Sequence, residues 1–392
     1  MTNQTAQPTQ KQKTGIPAGW REACSPQNWR LVKLGEVTEY LNRGITPKYS
    51  KNGVVVINQR CIRDGKVLFE SAKITDPKKR KITKEKKLQD EDIVICSTGV
   101  GTLGRVAQIG KVEKVVTVDS HVTIVRGNLQ VNKKFLGFNL RGREKEIEFL
   151  AEGSTGQTEL QRKKLENLKI LLPPLPEQEA IAEVLSGLDD KIDLLHRQNK
   201  ILEDMAQALF RKWFIDEADE GWEEKRLGDF VSISSGKSLK KDEYIMNGKY
   251  QVFGANGKIG RTNKFLLDEK IIFTGRVGTL GNVFISDGKV WLSDNTLIVK
   301  PETGCFYFVY FLLKTKKLKG MNVGSTQPLI RQSDLKNITA YIPPKHVLQN
   351  FQNKVENFFV KINNNQSQIR TLENLRDTLL PKLMSGEVRV KF

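Results

Sequence analysis

The sequence predicts a mixed α+β fold in which two α/β domains follow one another along the chain, each followed by a long helix. Three observations lead to this prediction. A heptad-like apolar pattern runs through residues 173–214, the same pattern returns 170 residues later, and strand-like segments with shared short motifs precede each copy. The shared seam predicts that the two helices pack against each other as a coiled coil, and an antiparallel coiled coil would relate the two halves by pseudo-two-fold symmetry.

Both helix patterns begin after a Pro-Pro pair and place apolar side chains along one seam. If all ten layers pair antiparallel, Asn199 faces Asn365, while Arg376 faces Leu188 and must extend its guanidinium to the edge. Alternating steps of four and three give the seam of the first helix as Ile181, Leu185, Leu188, Ile192, Leu195, Asn199, Leu202, Ala206, Leu209 and Trp213, and that of the second as Phe351, Val355, Phe358, Ile362, Asn365, Ile369, Leu372, Arg376, Leu379 and Leu383.

The internal repeat also predicts the domain boundaries. Trp222–Gly228 restarts the pattern of Trp29–Gly35, and the motif VGTLG occurs at residues 100–104 and again at 277–281. The predicted segments are a disordered leader at 1–16, a first domain at 17–172, a helix at 173–214, a second domain at 215–342, and a second helix with a C-terminal tail at 343–392. The first copy is the longer one, and most of the excess lies where it carries a lysine-rich run.

Periodicity and glycine turns assign the elements of the first domain in order. Residues 53–60 predict a strand that ends in polar side chains, and residues 92–110 predict a buried strand, a glycine turn and a second strand. Residues 116–127 predict a further strand pair. Helical spacing begins at residue 133 and stops at Gly153, and a short strand before residue 173 leads into the prolines.

Composition indicates a class of partner but no chemistry. Sixty-four Lys and Arg against 45 Asp and Glu give a formal charge of +19 over 392 residues, which favours a polyanion such as nucleic acid, although ribosome-associated and membrane-surface proteins share this balance. The four cysteines lie far apart, which argues against a zinc ribbon or a disulfide framework and fits the cytoplasm. No apolar run approaches the length of a membrane span.

The motifs that could indicate catalysis are weak. Gly99–Gly104 matches G-x-G-x-x-G after a strand, but strand-like alternation follows it instead of a helix, and the second copy breaks the spacing. The chain has no Walker loop and no Asn-Pro-Pro-aromatic loop, and the nuclease-like Glu85–Lys87 lies inside a lysine-rich run. The histidines His121, His196 and His346 are singletons. We therefore expect a non-catalytic chain without a metal site or a cofactor of its own.

Polar and basic side chains at strand ends and glycine turns are the candidate DNA contacts, because such positions can reach base edges and phosphates. The run at residues 73–87, with eight Lys and Arg, fits either a solvated loop or a phosphate-contacting loop. The candidates in the first half are Arg43, Lys48, Tyr49, Asn58, Gln59, Arg60, Thr102, Arg105, Ser154, Thr155 and Gln157. Those in the second half are Lys237, Lys240, Lys241, Asn256, Arg261, Arg276, Thr279, Thr326 and Gln327.

With these motifs the chain resembles the specificity subunit of type I restriction–modification systems. The resemblance rests on the twofold repeat of domain and helix, on LPPLPEQEAI at the first helix start, and on LLPKLMSGEVRV near the C-terminus. VFGANGKIG and RGITPKYS also look like turns of that family. It covers the chain from about Ile16 onward. The second helix departs from the pattern, because PPKHVLQNF stands where the first has PPLPEQEAI.

The resemblance implies two target-recognition domains that each read one part of a split, asymmetric site on double-stranded DNA. Two modification subunits would carry S-adenosylmethionine and methylate adenine, and restriction subunits would use ATP and Mg for translocation and cleavage. Three alternatives remain open: a recognition protein fused to its own catalytic domain, a specificity subunit of a methyltransferase–nuclease complex that is not type I, and a basic coiled-coil scaffold that binds protein.

Overall fold

The computed structural model describes residues 28–151, 158–316, 318–321 and 328–391. Within these ranges the chain forms two compact units. Unit 1 comprises residues up to Leu194 together with those from Ile369 onward, and unit 2 comprises Leu195–Gln368. Each long helix therefore contributes one half to each unit. The leader at 1–16 and the stop at Gly153 lie outside the described residues, and the domain boundaries inferred from the repeat remain predictions.

Unit 1 contains a four-stranded antiparallel sheet, a three-stranded mixed sheet and three short helices. The four-stranded sheet has the order β2-β10-β7-β8 and the mixed sheet the order β6-β3-β9, while β1 pairs with β11 beside the start of the long helix. In chain order the elements are β1 (Arg30–Lys33), β2 (Thr38–Arg43), β3 (Tyr49–Ile57), β4 (Ile62–Arg63), β5 (Lys66–Val67), β6 (Lys73–Thr75), β7 (Ile93–Cys96), β8 (Val106–Gln108), β9 (Val116–Val118), β10 (Val122–Gly127), α1 (Lys133–Arg141), α2 (Glu144–Phe149), α3 (Arg162–Glu166) and β11 (Lys169–Leu172).

The strands expected in the first domain are confirmed, with two corrections. β9 and β10 do not pair with each other, since β9 joins β3 in parallel and β10 lies between β2 and β7. The turn between them instead carries the chain from one sheet to the other. The helical segment after residue 133 is not continuous, because Gly142 ends α1 before α2 begins.

Unit 2 repeats this architecture. Its four-stranded sheet has the order β13-β20-β17-β18, β14 pairs in parallel with β19, and β12 pairs with β21. The elements from the first long helix onward are α4 (Leu175–Arg211) with a π-helical turn (Lys212–Asp216), β12 (Glu223–Arg226), β13 (Val231–Ser235), β14 (Tyr250–Gly254), β15 (Gly257–Thr262), β16 (Leu267–Asp268), β17 (Ile271–Gly275), β18 (Val283–Ser286), β19 (Lys289–Leu292), β20 (Thr296–Pro301), α5 (Phe306–Thr315), α6 (Gln332–Lys336), β21 (Thr339–Ile342) and α7 (Lys345–Ser385). The predicted mixed α+β class is confirmed.

The two long helices begin in the same way. Pro174 accepts backbone hydrogen bonds in the first turn of α4, and Pro344 does so in the first turn of α7. The first turn of a helix leaves backbone N–H groups without intrahelical acceptors, and the carbonyl groups of these two prolines, which directly precede the helices, accept hydrogen bonds from them. The halves of α4 and α7 run antiparallel in both units, and every seam position predicted from the sequence is buried or half-buried.

The predicted register of the helix pair is confirmed in unit 2. Asn365 Nδ2 donates a hydrogen bond of 2.9 Å to Asn199 Oδ1, and the two side chains are 0% and 9% exposed. Farther along the same half-helices the Phe210 and Phe351 rings lie 6.1 Å apart. A buried amide pair of this kind favours one register over its neighbours, because a shift would leave both amides without a partner.

In unit 1 the polar seam residue Arg376 reaches the edge of the helix pair, where carboxylates hold it. Arg376 Nη1 donates to Asp189 Oδ1 at 2.8 Å, and Arg141 of α1 donates to the other oxygen of that carboxylate at 2.7 Å. The side chain of Arg376 is 15% exposed. Asp189 of α4 therefore joins α1 of unit 1 to both long helices.

The C-terminal tail is also fixed in unit 1. Glu177 is fully buried in the first turn of α4, where it accepts a hydrogen bond of 3.1 Å from Trp29 Nε1. Arg389 donates to both oxygens of the same carboxylate at 2.8 Å. The second helix has Val347 at the position that matches Glu177, so the two helix starts make different contacts.

Candidate nucleic-acid interface

Four connecting segments of unit 1 meet at one end of the four-stranded sheet. Because β10 runs antiparallel to β2 and β7, its first residue lies at the end where those two strands finish. β3 ends there as well, since Asp119 N donates to Ile57 O at 2.9 Å. We name this end edge 1 and define it as residues 43–48, 58–60, 97–105 and 119–121. The opposite end of the sheet faces α4, where Asn132 N donates to Gln178 Oε1 at 2.8 Å.

Close backbone contacts build edge 1. Gly44 N donates to Val122 O at 3.1 Å, and Ser97 N donates to His121 O at 2.8 Å. A Cβ atom at position 44 would lie 1.9 Å from the carbonyl oxygen of Val118, so only glycine fits this bend. The bend after β2, the glycine turn after β7 and the turn before β10 are thereby held against one another.

Side-chain hydrogen bonds connect these segments further. Thr102 Oγ1 lies 3.3 Å from Gln59 Oε1, and Thr98 Oγ1 lies 2.7 Å from His121 Nδ1. Arg105 donates to Gly101 O at 2.7 Å, which braces the glycine turn from within. The result is a row of partly exposed polar groups along one edge of the fold, the kind of surface that can reach base edges in a groove.

The candidate DNA contacts from the first half differ in whether their side chains are exposed or already bound within the protein. Lys48 and Arg60 are exposed on edge 1. Arg43 is ion-paired with Glu159 and donates to Leu160 O at 3.0 Å. Asn58 is 7% exposed, and its side chain caps the following helical turn by accepting from Arg60 N at 2.8 Å. The Asn58 side chain is therefore already hydrogen-bonded within the protein, whereas the Arg60 side chain is exposed at the surface.

Tyr49 and the basic run lie beside edge 1. The Tyr49 ring is 54% exposed, with Lys73 Nζ 4.4 Å from its centre, and partial burial raises the pKa of its hydroxyl. Asp76 N donates to Lys48 O at 2.9 Å, and Lys86 Nζ donates to Gly44 O at 2.7 Å. These contacts attach both ends of the basic loop to the bend after β2. The lysines and arginine at 78–81 between them are exposed.

Asp119 positions the turn before β10. It is 4% exposed, and its Oδ1 accepts from His121 N at 2.9 Å. Burial raises the pKa of this carboxyl. Its hydrogen bond fixes the backbone that presents His121, whose ring is exposed.

Unit 2 has the matching surface, which we name edge 2 and define as residues 236–241, 254–256, 276–282 and 293–295. Gly236 N donates to Thr296 O at 3.1 Å and Ser293 N to Phe253 O at 2.9 Å, which are the bonds that Gly44 and Asp119 make in unit 1. Asn256 accepts from Asn282 at 2.8 Å, so the end of β14 again meets the glycine turn.

The candidates from the second half are likewise divided. Lys237, Lys240, Lys241, Asn256 and Thr279 are exposed, whereas Arg276 is half-buried. Arg261 turns back onto its own domain, since its guanidinium donates to Gly248 O at 2.5 Å and to Lys249 O at 3.0 Å. Five candidates lie outside the described residues: Ser154, Thr155, Gln157, Thr326 and Gln327.

Residues that are not among the DNA contacts predicted from the sequence also lie on the edges. His121 and Asn295 occupy matching positions, because Ser97 N donates to His121 O and Arg276 N donates to Asn295 O, both at 2.8 Å. The segments DSHVTIV and SDNTLIV already align without a gap in the sequence. That alignment could have identified this pair, although only the sheet order brings it next to Gln59 and the glycine turn.

The described ranges contain no group of three or more His, Cys, Asp or Glu residues that could hold a metal ion. No helix in the described part of the chain is long and apolar enough to cross a membrane.

A family model for the type I restriction modification DNA specificity domain matches residues 26–204 and again 219–374. The chain belongs to this family.

Type I specificity subunits from several organisms are similar to the chain. The MjaIX specificity subunit of Methanocaldococcus jannaschii is 34% identical over 291 residues, which cover 62% of the chain and 66% of that relative. The MjaVIII specificity subunit of the same organism is 24% identical, with 93% and 94% covered. The crystal structure of the type I S subunit from M. genitalium shares the fold with a TM-score of 0.61, at 21% identity and over 91% of the chain and 96% of that structure.

Specificity subunits of this family are the DNA-recognition components of type I restriction–modification systems and are not themselves catalytic. Family membership therefore confirms that the chain is a non-catalytic, DNA-binding specificity subunit. The family carries no cofactor of its own.

Proposed function

We propose that this specificity subunit recognises a bipartite, asymmetric DNA site, with edge 1 on one half-site and edge 2 on the other. The observation that carries the proposal is that the two edges share a backbone framework and differ in the side chains at matching positions. Where unit 1 has Arg60 and His121, unit 2 has Asn256 and Asn295. A shared order of strands with unequal polar groups at its matching positions favours two different base sequences.

Charge supports contact of both edges with DNA. Edge 1 lies beside the basic loop, and edge 2 carries the exposed Lys237, Lys240 and Lys241. Lysine and arginine contacts to phosphates supply most of the sequence-independent affinity for DNA, while groove contacts supply specificity. The arrangement of basic side chains around a row of hydrogen-bonding groups fits this division.

The length of the helices supports a site in two parts. A helix of 37 residues, the length of α4, spans roughly 56 Å at 1.5 Å per residue. One turn of DNA occupies about 34 Å. The helix is therefore longer than one turn of the duplex, as a recognition site in two separated parts requires.

We further propose that two methyltransferase subunits and the restriction subunits dock on the chain. Apolar side chains on the outer face of α4, away from the seam, support a docking role. In the unit 2 half they include Ile201 and Met205, which are 58% and 49% exposed. S-adenosylmethionine, ATP and Mg would then be bound by those partner chains.

The experiment is to compare adenine methylation across the genome before and after deletion of this chain in its host. We expect one bipartite motif to lose methylation on deletion and to regain it when the wild-type chain is restored. A chain with R60A and N256A together should restore less methylation or a changed motif, whereas the exposed control K361A on the second helix should restore the wild-type pattern. Unchanged methylation on deletion in an active system would refute the proposal.

A further inference from the structure

The glycine turn of edge 1 is longer than its counterpart on edge 2. Ile95 pairs with Val106 in unit 1, and Thr274 pairs with Val283 in unit 2. Residues 96–105 connect the first pair, and residues 275–282 connect the second, so unit 1 has two more residues in this turn. The motif VGTLG occurs in both turns, and its alignment matches the ends of the turns. The two extra residues of unit 1 lie before the motif.

The extra length places Val100 in solvent. Its side chain is 87% exposed. It lies between Gly99 and Gly101, whose φ angles are +101° and +72°, a backbone region that glycine adopts readily and valine does not. In unit 2 the valine of the same motif, Val277, is half-buried and pairs with the backbone of Leu329. An outward-pointing valine is thus a property of edge 1.

Position distinguishes Val100 from other exposed apolar side chains. A single exposed valine is ordinary on a protein surface, but this one follows Thr98, which contacts His121, and precedes Thr102, which contacts Gln59. It therefore lies among the polar groups of the candidate interface. Leu129 is a contrasting case, since it is 97% exposed but lies after β10, at the opposite end of the sheet.

The chemistry of the major groove indicates what such a side chain can recognise. Among the base edges there, only thymine presents an apolar group, its 5-methyl. Insertion between base pairs is a less suitable role, since inserted wedges are usually Phe, Leu, Ile, Met or Pro, which reach farther than valine or are more rigid. The two flanking glycines allow the backbone to approach the base edge closely.

We propose that Val100 contacts the 5-methyl group of a thymine in the half-site recognised by unit 1. This inference rests on the proposed function, and it adds a specificity-determining residue that hydrogen-bonding arguments do not identify. The contact has no counterpart in unit 2, so the other half-site is recognised without it.

The test uses the chain assembled with its methyltransferase subunits and duplexes that carry the methylated motif. Each thymine of the unit 1 half-site is replaced in turn by deoxyuridine, which removes only the 5-methyl group. For the wild-type chain we expect one substitution to weaken binding about fourfold, the effect of withdrawing one buried methyl group. V100A should weaken binding to the unmodified duplex and should be insensitive to deoxyuridine at that same position.

The control variant L129A should bind like the wild type and keep the wild-type sensitivity to deoxyuridine. Deoxyuridine in the half-site of unit 2 should affect wild type and V100A equally. The proposal is overturned if no thymine of the unit 1 half-site is sensitive in the wild type, if that half-site contains no thymine, or if V100A remains sensitive at the same position. Loss of the motif itself on deletion of the chain is scored beforehand, so a failure here is distinguishable from a failure of the proposed function.

Discussion

Replacing Asn365 with leucine should destabilise unit 2, because it removes the donor to a buried acceptor. Asn199 Oδ1 accepts from Asn365 at 2.9 Å inside the helix pair, where the two residues are 9% and 0% exposed. A buried polar group left without its partner costs about 1–3 kcal/mol. Because Asn365 Oδ1 is itself buried without a hydrogen-bond partner among the described residues, its removal offsets part of this cost. A net loss of about 1 kcal/mol lowers the folded-to-unfolded ratio about fivefold.

The double variant N199L/N365L provides the decisive comparison. Replacing both amides with apolar side chains removes the unsatisfied group, so we expect stability at or above that of the wild type and a coupling energy of at least about 1 kcal/mol. Urea denaturation gives the free energies, and hydrogen exchange of residues 195–211 locates the effect. N364L, an exposed neighbour on the same helix, should leave the exchange rates unchanged. A stable single variant, or a double variant whose loss equals the sum of the singles, would refute the argument.

Three further predictions concern charge, thiols and helix length. Changing the four basic residues at 78–81 to glutamine should flatten the salt dependence of DNA affinity by up to about 0.9 per lost phosphate contact, without changing the methylated motif. Burial raises the pKa of Cys96 to about 12 and of Cys305 to about 11, so both thiols should resist alkylation at pH 8. Inserting one or two helical turns after Asn199 should lengthen the spacer by about one to two base pairs per turn and preserve both half-sites.

Each of these predictions has its own check. The salt slope is measured by titrating DNA from low to high salt, and an unchanged slope would remove the basic loop from the interface. The buried thiols have a pKa above the value of about 8.5 that a thiol has in the unfolded chain. Their contribution to the free energy of unfolding is therefore complete below about pH 8.5 and is lost as the pH rises from there through the pKa of the folded state. Rapid alkylation of the native chain at pH 8 would contradict the burial. A helix insertion that altered base preference would contradict the spacer role.

The register of the helix pair could be predicted because the information is local to each helix. A heptad pattern fixes which side chains face inward, and a polar residue in each seam needs the other for its hydrogen bond. Asn199 and Asn365 satisfy both conditions at once. Arg376 was placed correctly for the same reason, although its partners Asp189 and Arg141 became evident only when the domain was packed against the helix.

The contacts of the C-terminal tail could not be predicted from patterns. Arg389 and Trp29 meet on Glu177 although the three residues come from distant parts of the sequence. No periodicity relates them, and a fully buried glutamate is rare unless it is paired. The sequence of the second helix start, with Val347 in place of Glu177, indicates only that this start departs from the pattern of the first.

The candidate interface was predictable in outline and less so in detail. Strand ends and glycine turns identified the segments that meet on edges 1 and 2, because polar residues follow buried strands there. Side-chain direction was not available from the sequence, which is why Asn58 was included although it caps a helical turn and Arg261 although it binds its own backbone. His121 and Val100 are not among the DNA contacts predicted from the sequence, because their place on edge 1 depends on which strands end side by side.

The claim that each edge recognises its own half-site is tested most directly by exchanging one of them. Residues 17–172 are replaced by those of a related specificity subunit with a known motif, and adenine methylation is sequenced across the genome of cells that carry the chimera with the partner subunits. We predict that one half-site changes to that of the relative while the other half-site is retained. A motif in which both halves change, or in which neither does in an active complex, would contradict the account.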